Sequence, residues 1–144
     1  MTAPDLIRFV DAQAPVFNTV LEELRSGCKK SHWMWFVFPQ LIGLGKSRRS
    51  QYFGIKDLGH AERYISDSLL GKRLLENIEI VTSHERKSAL EIFGSPDDDK
   101  FRSCVTLFRE AGRDSTNSRV FTAALEQFYD GRPDEQTLKL LGHY

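Results

Sequence analysis

The chain has 144 residues, and its 20 Lys and Arg are balanced by 20 Asp and Glu. Zero formal net charge excludes a chain-wide attraction to nucleic acid or to an anionic membrane, and leaves only local basic patches for such partners. Two cysteines, Cys28 and Cys104, are too few for a disulfide framework and fit a reducing compartment.

Met1-Thr2-Ala3-Pro4-Asp5 lacks the basic region and apolar run of a secretory leader, so the expected location is the cytoplasm. No apolar run reaches the ~18–20 residues that cross a bilayer, so no membrane association is expected. Asp5 to Val10 is expected to form a short helix with Leu6, Phe9 and Val10 turned inward. Val16, Phe17, Val20, Leu21 and Leu24 make a stripe of helical period, with Pro15 tolerated in the first turn and Gly27 as the stop. Trp33 to Phe38 is apolar throughout and fits a buried strand or a short buried helix equally, with a hairpin near 36–44 as the alternative. Pro39 ends that piece, Gly43 and Gly45 turn the chain, and Ser47 is placed to cap a helix over 47–53.

Past Gly54, Ala61, Tyr64, Ile65 and Leu69 share a face. After Gly71, Leu74, Leu75, Ile78 and Val81 form the next stripe. Leu90 to Phe93 stops at Gly94. Ser95 is expected to cap a helix with Pro96 in its first position and Asp97, Asp98 and Asp99 at its positive end. Phe101, Cys104, Val105, Phe108 and Ala111 supply its core face. Gly112 to Ser118 reads as a surface loop. Phe121, Ala124, Leu125 and Phe128 line a helix stopped near Gly131, and Asp134 caps a last short helix carrying Leu138 and Leu141. Such stripes are buried only against one another. The expected fold is all-α: a compact single-domain bundle of short helices over residues 1–144 with an aromatic-rich loop segment.

Candidate chemistry gathers around that segment. The imidazole of His32 is a side chain able to transfer a proton, with Ser50 and Tyr52 as polarised catalytic partners. Trp33 and Trp35 point about 200° apart on a helix, or to opposite faces of a strand, so one can enter the core while the other borders a pocket and stacks on a flat ligand. Gln40 offers donors and an acceptor. Gly43 and Gly45 allow close backbone approach, and Lys46, Ser47, Arg48 and Arg49 form the best anion-facing patch. The glycines fit neither a P-loop nor a dinucleotide fingerprint. His60, His84 and His143 are scattered, and no His/Cys/Asp grouping has zinc spacing, so neither metal nor cofactor is expected.

The same residues carry a resemblance. Ala12-Gln13, His32-Trp33-Met34-Trp35-Phe36, Pro39-Gln40, Gly43-Leu44-Gly45, Ser47, Ser50 and Tyr52 resemble the bacterial DUF1810 family. So do Leu70-Gly71, Ile92-Phe93-Gly94, Thr106-Leu107-Phe108, Asp134 and Thr137-Leu138. The resemblance spans almost the whole chain and implies a bundle of helices; it implies no catalytic residue, substrate or cofactor. Some members carry a calpastatin label, which does not transfer, because calpastatin repeats are disordered and this chain has strong apolar periodicity.

The leading expectation is a pocket walled by His32, one tryptophan, Gln40, Ser50 and Tyr52. It would hold an anionic small molecule, nucleotide-derived or phosphorylated, with His32-assisted hydrolysis or glycosidic-bond cleavage as the chemistry. The alternatives are a non-catalytic interaction module and a weak RNA binder, the latter opposed by the neutral charge.

Overall fold

The computed structural model describes residues 3–113, 115 and 117–142. Met1 and Thr2 of the leader reading, Asp114 and Thr116 of the expected loop, and His143 lie outside the described residues. The fold is all-α. No described helix is long and apolar enough to cross a membrane.

Helix α1 (Ile7–Gln13) runs through a 3-10 turn (Ala14–Val16) into α2 (Phe17–Ser26). The chain continues through α3 (Met34–Val37), α4 (Arg48–Tyr52), α5 (Leu58–Ser66), α6 (Leu70–Thr82) and α7 (Ala89–Phe93), and ends with α8 (Asp97–Ala111), α9 (Ser118–Tyr129) and α10 (Glu135–Leu140). Helix α8 is the centre: Phe101, Cys104, Val105, Leu107 and Phe108 are fully buried, and α5, α7, α9 and α10 pack around it. Helix α6 lies against α2, α5 and α9.

Several boundaries depart from the sequence reading for local reasons. The first helix extends to Gln13 because Gln13 is itself a buried anchor. Its amide donates to the Phe36 carbonyl (2.7 Å) and to the Tyr64 hydroxyl (3.1 Å), and its oxygen accepts from Arg73 (3.2 Å). Within the apolar run 33–38, Met34–Val37 forms a helix, not a strand or hairpin, and the neighbouring loop makes one parallel bridge, Leu41 to Ile55. Ser95 caps nothing, because α8 begins one residue later, after Pro96, and the Ser95–Pro96 bond is cis. Leu69 lies outside α5 and is exposed. Gly71 falls inside α6, where a Cβ would stand 1.9 Å from the Ile65 carbonyl oxygen, so α5 and α6 meet only because that side chain is absent.

Other local signals hold. Ser47 and Asp134 accept a backbone N–H at the starts of α4 and α10, and Asp57 and Ser88, not singled out from the sequence, do the same for α5 and α7. Gly27 is left-handed at the end of α2. The Asp134 N–H donates to the Thr106 hydroxyl (2.9 Å), which clasps α10 onto α8.

Candidate functional site

The segment between α2 and α3 is held by one carboxylate. Burial alone would raise the pKa of Glu23, but its hydrogen bonds from the Ser31 hydroxyl, the Lys30 and Ser31 N–H groups and the Trp33 indole override that and hold it down at about 2. Glu23 Oε1 accepts from Lys30 N–H (2.7 Å), Ser31 N–H (2.9 Å) and Trp33 Nε1–H (3.0 Å), while Oε2 accepts from the Ser31 hydroxyl (2.6 Å). Lys29 N–H reaches the Ile92 carbonyl of α7 (2.7 Å). The carbonyls ending α2 are covered by His84 Nε2 on Leu24 O (2.6 Å) and Lys87 Nζ on Gly27 O (3.0 Å). Trp33 is thereby sealed in the core at 1% exposure. The start of α3 is fixed from behind.

In front of α3 lies a narrow recess between α3, α4 and α8. Met34, Trp35, Phe38, Gln40, Ser50, Phe53 and Lys100 line it. Its apolar floor is rigid: the Phe38 ring meets Phe101 edge-on at 5.1 Å and Phe93 at 5.7 Å, and Phe36 meets Phe53 at 5.2 Å. The half-buried Trp35 ring stands under two cations, with the Arg49 guanidinium 4.9 Å and the Lys100 ammonium 5.3 Å from its centre. Lys100 is also shared with Asp97 at 3.7 Å, whose other oxygen binds Lys29 at 2.9 Å.

Polar capacity in the recess is unspent. The Ser47 hydroxyl donates to the Ser50 hydroxyl (2.9 Å) and accepts the Ser50 N–H (3.1 Å), which leaves the Ser50 proton free to donate. Among the described residues, the Gln40 side-chain amide, the Trp35 indole N–H and the Arg49 guanidinium have no hydrogen-bond or ion-pair partner. The loop is drawn over these groups by Gly45: a Cβ there would lie 2.4 Å from Ser50 Oγ and 3.3 Å from Gln40 Nε2. The Gln40 backbone is fixed by the Ile55 N–H (2.9 Å).

Of the sequence candidates, Trp35, Gln40, Ser50 and Arg49 come together here, with Ser47 and Gly45 shaping the wall. His32 does not join them. It is exposed, absent from the recess lining, and without a hydrogen bond or ion pair among the described residues. Trp33 is core rather than pocket wall. Tyr52 points outward at 57% exposure, with its ring against Arg8 (4.9 Å) and Phe53 (4.8 Å). Lys46 and Arg48 are exposed outside the lining, and Gly43 turns the chain at φ +100° beside Leu140. The expected pocket walled by His32 and Tyr52 is corrected in this respect: His32 precedes α3 on the strap held by Glu23 and is exposed, and Tyr52, at the end of α4, is exposed as well. Sequence reasoning missed Lys100, which only the packing of α8 brings to Trp35.

A larger open hollow of about 620 Å³ lies elsewhere, along Glu62, Ile65, Glu110 and Arg113. Its buried carboxylate, Glu110, is already engaged by Arg109 (3.1 Å) and Arg113 (3.0 Å). The smaller recess is where donors stand unmatched.

A family model described as a protein of unknown function, DUF1810, matches residues 3–141. A solved crystal structure, that of the conserved hypothetical protein Rv1873 from Mycobacterium tuberculosis, is 48% identical over 96% of this chain and 96% of its own, with a TM-score of 0.92. Among curated proteins, none matches the chain.

Proposed function

This chain belongs to the DUF1810 family, and from the recess in front of α3 we propose that it binds a small anionic metabolite carrying a flat ring, of nucleotide-derived or other phosphorylated kind. The observation that carries the reading is Trp35 under both Arg49 and Lys100, at 4.9 and 5.3 Å, beside the unmatched Gln40 amide and Ser50 hydroxyl. A cation fixed over an indole is desolvated on one side and pre-positioned for an anion on the other, so less side-chain freedom is lost on binding. Gln40 and Ser50 supply the directional donors that distinguish one anion from another.

The recess itself has room of about 10 Å³, the space of one water. The ligand therefore lies across the mouth beside Trp35 and its two cations, and sends one polar group inward. The proposed function is binding. His32 does not line the recess. Ser47, Gly43, Lys46 and Arg48 serve this reading as the loop that shapes and charges the rim.

Calorimetric titration with AMP, adenosine and inorganic phosphate tests it. AMP should bind most tightly and adenosine at least tenfold more weakly, and Arg49→Gln with Lys100→Gln should cancel that difference. Equal binding of AMP and adenosine, or an unaltered preference in the double variant, contradicts the proposal.

A further inference from the structure

Helix α3 has a second recess behind it, on the side of α2 and α6. Gln13, Phe17, Val20, Val37, Arg73 and Asn77 line it. Arg73 and Asn77 are four residues apart on α6, so they sit one above the other on one face. Asn77 is 7% exposed, and among the described residues its side-chain amide has no hydrogen-bond partner. Its amide atoms keep contact with solvent at the recess, so the group is open to an incoming acceptor.

Arg73 stands at the mouth. Its guanidinium lies 4.5 Å over the Phe17 ring and makes one side-chain hydrogen bond, to the Gln13 oxygen at 3.2 Å. It has no carboxylate partner among the described residues. Gln13 has no donor left, since both of its amide hydrogens go to Phe36 O and Tyr64 Oη. Arg73 is half-buried, so part of its fork remains open at the mouth.

From this we infer that the recess behind α3 is a binding site for a small carboxylate. One carboxylate oxygen accepts from the Asn77 amide inside. The other faces the planar fork of Arg73, which the Phe17 ring holds in place. The interior, about 10 Å³, takes one oxygen, and its apolar wall disfavours the larger, more heavily hydrated phosphate. Phe17, Val20 and Val37 form an apolar wall that strengthens the pair. This site is distinct from the recess of the proposed function, and neither depends on the other.

The probe is sodium acetate, followed by ¹⁵N NMR of the whole chain, with sodium chloride and sodium phosphate at matched ionic strength. Acetate should shift the Asn77 side-chain amide and the Arg73 Nε–H resonances along a saturating curve, while chloride and phosphate should not. Arg73→Gln keeps a donor for Gln13 and removes the charge, and it should weaken acetate at least tenfold while the rest of the spectrum stays dispersed. Arg73→Lys keeps the charge without the fork and should weaken it several-fold. Lys100→Gln should leave acetate binding unchanged. A linear acetate response, an equal response to chloride, or wild-type affinity in Arg73→Gln overturns the inference.

Discussion

Trp33 and Trp35 are two residues apart and have opposite surroundings. Trp33 is sealed in the core, its indole N–H is spent on Glu23, and the lysine over its ring at 5.1 Å, Lys29, is neutralised by Asp97. Trp35 is half-buried, its N–H has no partner among the described residues, and it carries two cations, one of them unpaired. Both rings pack on neighbouring phenylalanines or cations, so packing does not separate them. What separates them is whether the polar groups nearby already have partners inside the fold. A matched cluster holds structure, and an unmatched one is available to a ligand.

The sharpest way to break the matched side is Glu23→Leu. It leaves the buried Trp33 indole N–H and the part-buried Lys30 and Ser31 N–H groups without an acceptor, which should lower stability by about 2–3 kcal/mol in urea unfolding. If the loss is below ~1 kcal/mol, Glu23 is not the strap that fixes α3.

Acid gives the same comparison without mutation. The Glu23 pKa falls from 4.5 in the unfolded reference to about 2 in the fold. Its contribution of about 3 kcal/mol is complete above the unfolded value and is lost as pH drops from ~4.5 through ~2. Unfolding followed against pH should show this loss, and Glu23→Gln should flatten that part of the profile.

Gly45→Ala probes the unmatched side. The new methyl must displace Ser50 or lift the loop, at a cost of about 1–3 kcal/mol. AMP affinity should fall with it, because the same movement parts Ser50 from Gln40. Lys100→Gln acts on binding alone: stability should hold within ~0.5 kcal/mol, while AMP weakens several-fold. His32→Asn should change neither stability nor AMP binding, and a tenfold loss there would restore the imidazole to the site.

Much of the fold was legible in the sequence because helix periodicity and caps are local. Ser47, Asp134 and Gly27 act as their residue types dictate, and Cys104 lies in the core as its stripe requires. Ser95 misled because α8 starts one residue later than the cap pattern places it, with Pro96 rather than Ser95 in the capping position. Half of the recess was also legible, since Trp35, Gln40, Arg49 and Ser50 are close in sequence. Lys100 was not, because tertiary packing alone sets its distance from Trp35. Glu23 and Asn77 left a readable signal that went unused. Each interrupts an apolar stripe, Val20–Glu23–Leu24 in one case and Leu74–Asn77–Ile78 in the other. A polar residue in such a position has a partner, or waits for one. Glu23 has several, and Asn77 has none among the described residues.

The two indole N–H resonances, the only two in the chain, test the central claim most directly. During titration with AMP, the Trp35 signal should move along a saturating curve while the Trp33 signal, tied to Glu23, stays in place. Movement of both together, or of neither, would contradict the account.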